Sequence, residues 1–180
     1  ADQLALDLVD KGLVTDQVIL TVGYDIGNLS NPMAQDRGTG GVTTDRYGRK
    51  LPKHAHGSAN LKRSTSSARY LVKAVLELYD RIINPVYLVR RIAVSANHVE
   101  EESLASHAPV FEQLDLFTDY ASLEREREEE EAELGRERKL QKAMLDIKKR
   151  YGKNALLKGV SLVEGATAMD RNNQIGGHRA

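Results

Sequence analysis

Apolar residues in the first hundred positions change period several times. Leu4, Ala5, Leu8 and Val9 recur at helical spacing within residues 2–13, with Asp2, Asp7 and Lys11 elsewhere and Gly12 as a stop, so a first helix is expected. Val18, Leu20, Val22 and Tyr24 then alternate with Gln17, Ile19, Thr21 and Gly23, the pattern of a strand with one buried face. Residues 25–50 are rich in Gly, Asn, Asp and Thr, include Pro32, and read as a long loop of the kind usually found functional or mobile. A second extended segment is expected from about Leu51 to Asn60. Ser64, Thr65, Ser66 and Ser67 offer N-caps for a helix whose stripe is Leu71, Ala74, Val75, Leu78 and Ile82, closed by Asn84-Pro85. In residues 88–97, Leu88, Ile92, Val94 and Ala96 take one face of a last strand, and Arg91, Ala93, Ser95 and Asn97 the other.

The expected class is therefore α+β. Residues 1–99 read α-β-β-α-β, an antiparallel sheet covered on one face by two helices with its other face polar and basic. Residues 100–121 form a linker carrying a short apolar segment. Residues 122–151 form a long charged helix, interrupted only by Gly135, which costs about 1 kcal/mol in a helix interior. Within it, residues 124–133 are almost wholly charged, with Glu near the positive end of the helix, and Leu140, Met144, Ile147 and Tyr151 form a stripe in the second half. Residues 152–180 read as an irregular tail.

Charge sharpens this division. The formal net charge of the 180 residues is zero, yet residues 46–91 hold 11 Lys/Arg against 2 Asp/Glu, a local net of +9. Residues 101–133 hold 2 against 12, a local net of −10. A basic surface followed by an acidic segment is expected. There is no cysteine, which excludes disulfides and thiol chemistry and fits a cytoplasmic location. No apolar run approaches the roughly 20 residues of a membrane span, and no signal-peptide pattern opens the chain.

The linker contains Gln113-Leu114-Asp115-Leu116-Phe117, with Val110 and Phe111 just before it. Large apolar side chains on a polar linker usually await a partner, although Val110, Phe111, Leu114 and Phe117 also fall at the spacing of one face of a packed helix. The pentapeptide resembles the motif by which bacterial DNA polymerases and repair factors hook onto the sliding clamp. In that motif the Gln amide bonds the pocket rim, while the Leu and the Leu-Phe pair fill a hydrophobic groove.

A second resemblance covers the domain before it. The element order, the Lys-containing strand ending in His56-Gly57, the Ser/Thr-capped helix and Val89-Arg90-Arg91-Ile92-Ala93-Val94 are similar to the little finger domain of Y-family (UmuC/DinB-type) translesion DNA polymerases. The stretch from Lys153-Asn154-Ala155 through Arg171-Asn172-Asn173-Gln174-Ile175-Gly176-Gly177-His178 resembles the ends of a Gram-positive branch of that family. The family domain is β-α-β-β-α-β, so its first strand is expected to be missing, leaving an open slot or edge. The resemblance implies a role in translesion synthesis and the SOS response, with the magnesium-dependent catalytic domains outside this sequence.

For this chain it implies two partners, primer-template DNA and the sliding clamp. Arg90 and Arg91 carry over as contacts to the template backbone. Arg46, Arg49, Lys50, Lys53, Lys62 and Arg63 are candidates from charge and position alone, since cations neutralise phosphates without reading sequence. Gln113, Leu114, Asp115, Leu116 and Phe117 are the candidate clamp residues.

Other chemistry is thinner. His54-x-His56 places two imidazoles on one strand face but has no evident third metal ligand, so polar or phosphate-contacting roles fit better. Gly38-Thr39-Gly40-Gly41 lacks the Gly-Lys-Ser/Thr ending of a phosphate loop and reads as a turn. The carboxylates cluster in an exposed run, so no catalytic constellation, metal site or cofactor is expected in this chain. Two rival readings are a free-standing DNA- and clamp-binding adaptor and a structural interaction protein with a merely solubilising basic face.

Overall fold

A computed structural model of the chain describes residues 1–30, 41–105, 120–175 and 178–179. The chain divides into two compact units, Ala1–Phe111 and Glu112–Ala180.

The first unit is built on helix α1 (Asp2–Lys11) and strand β1 (Leu13–Tyr24), joined by Gly12 in the left-handed conformation at φ 65°. Glycine adopts that conformation without the strain a Cβ would bring, so the helix ends and the strand begins within a single residue. β1 starts at Leu13, four residues before the alternation that begins at Gln17, and Leu13 and Val14 pair with Glu101 and Glu100 of a short strand β6 (Glu100–Glu101). The sheet of this unit thus includes the first residues of the expected linker.

The expected loop contains structure of its own. A 3-10 turn covers Ile26–Leu29, and a small hairpin joins β2 (Val42–Thr44) to β3 (Lys50–Pro52). Strand β4 (Ala55–Thr65) follows, then helix α2 (Ala68–Ile82) and strand β5 (Val89–Asn97). Of the four candidate caps, Ser67 is the one used, its hydroxyl accepting the Tyr70 N–H.

Sheet order is β4-β1-β5, with both pairings antiparallel. The mixed α+β class is as the periodicity indicates, and β1 lies in the middle with a neighbour on each side. The expected opening is therefore not an internal slot, and among the described residues the outer edges of β4 and β5 carry no further strand. At the β4 edge, Arg81 of α2 donates to the Ser58 carbonyl at 3.0 Å. Leu88, just before β5, and Ile92 within it are exposed although the sequence pattern sets them on the apolar face with Val94 and Ala96, and Val89 is exposed as well.

Both helices pack on the face carrying Val18, Leu20, Val22 and Tyr24. Leu20, Leu71 and Leu78 are fully or almost fully buried there, each stabilising the fold by about 1.5–3 kcal/mol relative to exposure. Helix α2 comes closest to the sheet over Gly57, where an added Cβ would lie 3.0 Å from Leu78 Cδ1. Tyr24 closes this core, stacking edge-on with Tyr87 while its hydroxyl accepts the Asn84 N–H at 2.9 Å.

The second unit contains helix α3 (Tyr120–Tyr151), 32 residues and about 48 Å long at 1.5 Å per residue. It begins two residues before the expected start, so its first turn holds no acidic residue, while Lys148, Lys149 and Arg150 fill its last turn and complement the helix dipole. Leu140 and Tyr151 of the expected apolar stripe are well exposed. The tail is less irregular than its composition suggests, with a 3-10 turn at Gly159–Leu162, helix α4 (Ala168–Asn172) and the paired strands β7 (Gln174–Ile175) and β8 (His178–Arg179). Side-chain amides tie it together: Asn172 donates to Asn154 at 2.7 Å and Asn154 donates to Asn173 at 2.9 Å. Among the described residues no helix is long and apolar enough to cross a membrane.

Candidate nucleic-acid interface

The face of the sheet opposite the helices follows from the strand registers. Gln17 stands between Asn60 and Asn97, Ile19 between Ser58 and Ser95, and Thr21 between His56 and Ala93, with Gly23 beside Arg91. Side chains alternate along each strand, so these residues share the face left uncovered when Val18, Leu20 and Val22 are buried. No Asp or Glu is among them. The face is mostly polar, with Ile19 in its middle row, and runs roughly 20 Å from the Gln17 row to the Gly23 row at about 3.4 Å per residue.

Its polar groups are ordered by one another. Gln17 donates to Asn60 and accepts from Asn97, both at 2.7 Å, so three amides form a chain across three strands. Thr21 Oγ1 lies 3.0 Å from His56 Nδ1. Such cross-strand pairs stabilise the sheet and fix the side chains they join.

Arg91 stands at one end, its Cβ 3.7 Å from where a Cβ at Gly23 would be. Gly23 pairs with Arg91 but Tyr24 with Val89, so Arg90 is the extra residue of a β-bulge. Bulges re-aim side chains and increase local twist, and this one falls at the double arginine. The approach to it is fixed by Asn28, a buried residue of the 3-10 turn. Asn28 Nδ2 donates to the carbonyl of Leu88 at 3.0 Å, and its Oδ1 accepts the N–H of Leu88 at 2.9 Å.

The β2–β3 hairpin lies at the same end, with β3 against β1 and the 3-10 turn. Its loop is the sequence Asp45-Arg46-Tyr47-Gly48, with the Gly48 N–H donating to the Asp45 carbonyl at 3.0 Å and Gly48 left-handed at φ 78°. Asp at the first and Gly at the fourth position are what this turn demands. Asp45 Oδ1 accepts the N–H groups of Tyr47 and Arg49, each at 2.9 Å, and Oδ2 pairs with the Arg49 guanidinium at 2.8 Å. The Arg49 N–H first, then its guanidinium and the Tyr47 N–H, outweigh desolvation and hold the Asp45 carboxyl below the usual carboxylate range.

All eight sequence-derived cations are exposed. The fold separates them into two groups: Arg46, Arg49, Lys50, Lys53, Arg90 and Arg91 belong to the Gly23–Tyr24 end of the sheet, whereas Lys62 and Arg63 lie toward the other end of β4. His54 and His56 rings meet edge to face at 6.3 Å, and among the described residues no group of three His, Asp or Glu side chains is placed to hold a metal. Residues 113–117, the clamp-like pentapeptide, and residues 38–40 of the glycine-rich run lie outside the described residues.

Three elements of this interface are absent from a reading of charge. The amide chain was encoded only as polar alternation. Asn28 and Tyr47 sat in a stretch whose composition signals loop. The Asp-x-x-Gly spacing at 45–48 is the one local signal that finds the hairpin. Comparisons of the chain with protein-family models, with curated proteins and with solved structures find no match.

Proposed function

We propose that the first unit grips duplex DNA through its phosphate backbone, as part of a translesion DNA polymerase that is tethered to the sliding clamp by Gln113, Leu114, Asp115, Leu116 and Phe117. The observation that supports the grip most is the carboxylate-free sheet face with Arg91 at its end and Arg90 raised on a bulge beside it. Cations at the margins neutralise phosphates and release counterions. A module that must accept damaged templates needs affinity that does not depend on base identity, and this face offers no long side chain at its centre to read bases.

The clamp hook adds no catalytic group. It raises the local concentration of the polymerase at the primer end, an effective-concentration gain set by the linker. The palm carboxylates and their magnesium would belong to other domains, so this chain alone binds without polymerising.

Arg90→Ala with Arg91→Ala tests the grip. Affinity should fall by a similar factor for duplexes of unrelated sequence, while a loss confined to particular sequences would overturn backbone recognition. For the tether, binding to a bacterial sliding clamp should be abolished by Phe117→Ala without loss of folding; unchanged binding would remove the hook from the account.

A further inference from the structure

Tyr47 presents an aromatic ring where a phosphate-binding turn needs none. Its residue is 68% exposed, yet the ring is not loose. The Arg46 guanidinium carbon lies 4.8 Å from the ring centroid and that of Arg49 5.4 Å, and Arg46 also donates to the Tyr47 hydroxyl at 2.5 Å. Asp45 anchors the turn below through the Tyr47 and Arg49 N–H groups. The ring and both guanidinium groups are thus gathered at one tip, in contact with one another.

We propose that the tip of the β2–β3 hairpin stacks an unpaired base of single-stranded DNA on Tyr47, with Arg46 and Arg49 meeting the flanking phosphates. This rests on the DNA-binding reading of the sheet face and extends it to a second, chemically different contact. Bases inside a duplex are already stacked and offer no free face, so an exposed aromatic adds affinity only where a strand is unpaired. Guanidinium groups beside the ring supply both cation–π stabilisation and charge for the backbone. The surrounding charge agrees: between residues 41 and 65, Asp45, paired with Arg49, is the sole acidic residue, against Arg46, Arg49, Lys50, Lys53, Lys62 and Arg63. The hairpin base shares the Gly23–Tyr24 end with Arg90 and Arg91, so a strand leaving a duplex held on the sheet can pass the tip.

The test uses the full chain and two labelled probes, a blunt duplex and the same duplex with a short single-stranded thymidine overhang, read by fluorescence anisotropy. The overhang should tighten binding, and Tyr47→Ala should remove that gain, a loss of about fivefold or more from the usual worth of one base-aromatic stack. Tyr47→Phe should keep it, and any loss on the blunt duplex should be clearly smaller than the loss on the overhang probe. An overhang that adds nothing overturns the inference, as does a Tyr47→Ala loss equal on both probes or a Tyr47→Phe loss equal to that of alanine. Each of those results leaves the duplex grip standing, whereas failure to bind the blunt duplex would defeat the underlying reading itself.

Discussion

Asn28 stands in for a strand at Leu88, its side-chain amide making a hydrogen bond to both the carbonyl and the N–H of that residue. Removing its amide leaves the Leu88 N–H without that partner, while the Leu88 carbonyl keeps the Asp25 N–H at 2.8 Å and the Asp25 carbonyl keeps the Asn28 N–H at 3.2 Å. Asn28→Ala should cost about 1 kcal/mol, the net worth of a hydrogen bond lost from a part-buried site. Amide exchange at Leu88 and Val89 should rise with it. A denaturation midpoint and exchange pattern equal to those of the parent would show that β5 needs no such anchor.

Gly57 and Gly23 separate two uses of glycine in one sheet. At Gly57 a Cβ would meet Leu78 Cδ1 at 3.0 Å and Ile82 Cγ2 at 3.2 Å, so two side chains of α2 must shift together to admit it. Gly57→Ala should destabilise by about 1–3 kcal/mol, as overpacking does. At Gly23 the nearest atom would be Arg91 Cβ at an ordinary 3.7 Å, so Gly23→Ala should be neutral or stabilising. Chemical denaturation of both variants checks the contrast, and equal losses would contradict the close approach of α2 to β4.

The Asp45 turn should be acid-sensitive. Its carboxyl is held below the ordinary range in the folded state, chiefly by the Arg49 N–H, so the ionised form favours the ordered hairpin. That contribution is present above the unfolded-state value and is lost as pH falls through the lowered folded-state value. Protection factors for amide exchange at Tyr47 and Arg49 should therefore fall in that acid window and, at neutral pH, in Asp45→Asn. Equal protection in the variant would show that the turn holds without the charge.

In α3, Gly135 has nothing within 4 Å of an added Cβ. Gly135→Ala should stabilise the helix by about 1 kcal/mol. Helical circular dichroism during heating of the full chain checks this, and a lowered transition would reveal a neighbour that the glycine accommodates.

Much of the architecture is legible because burial leaves a period. Val18, Leu20, Val22 and Tyr24 reveal β1, and Leu71, Ala74 and Leu78 reveal α2, since each set must face one core. The extension of β1 through Leu13 and the pairing of Glu100 and Glu101 leave no such mark, because register with a distant segment is a tertiary property. The candidate site divides in the same way. The resemblance of the Val89–Val94 segment singles out Arg90 and Arg91, and charge with position the other six cations, but the bulge at Arg90 depends on how β5 meets β1. Asn28 and Tyr47 escape a compositional reading for a different reason: polar and glycine-rich stretches signal loop whether they are loose or tied down.

The most direct test of the central claim is the affinity of the intact chain for a random-sequence duplex across a salt series. The account predicts binding at low salt that is indifferent to sequence, with log affinity falling linearly against log salt as several phosphates are neutralised. Folded protein that shows no binding even at low salt, or binding that tracks sequence and ignores salt, would contradict it.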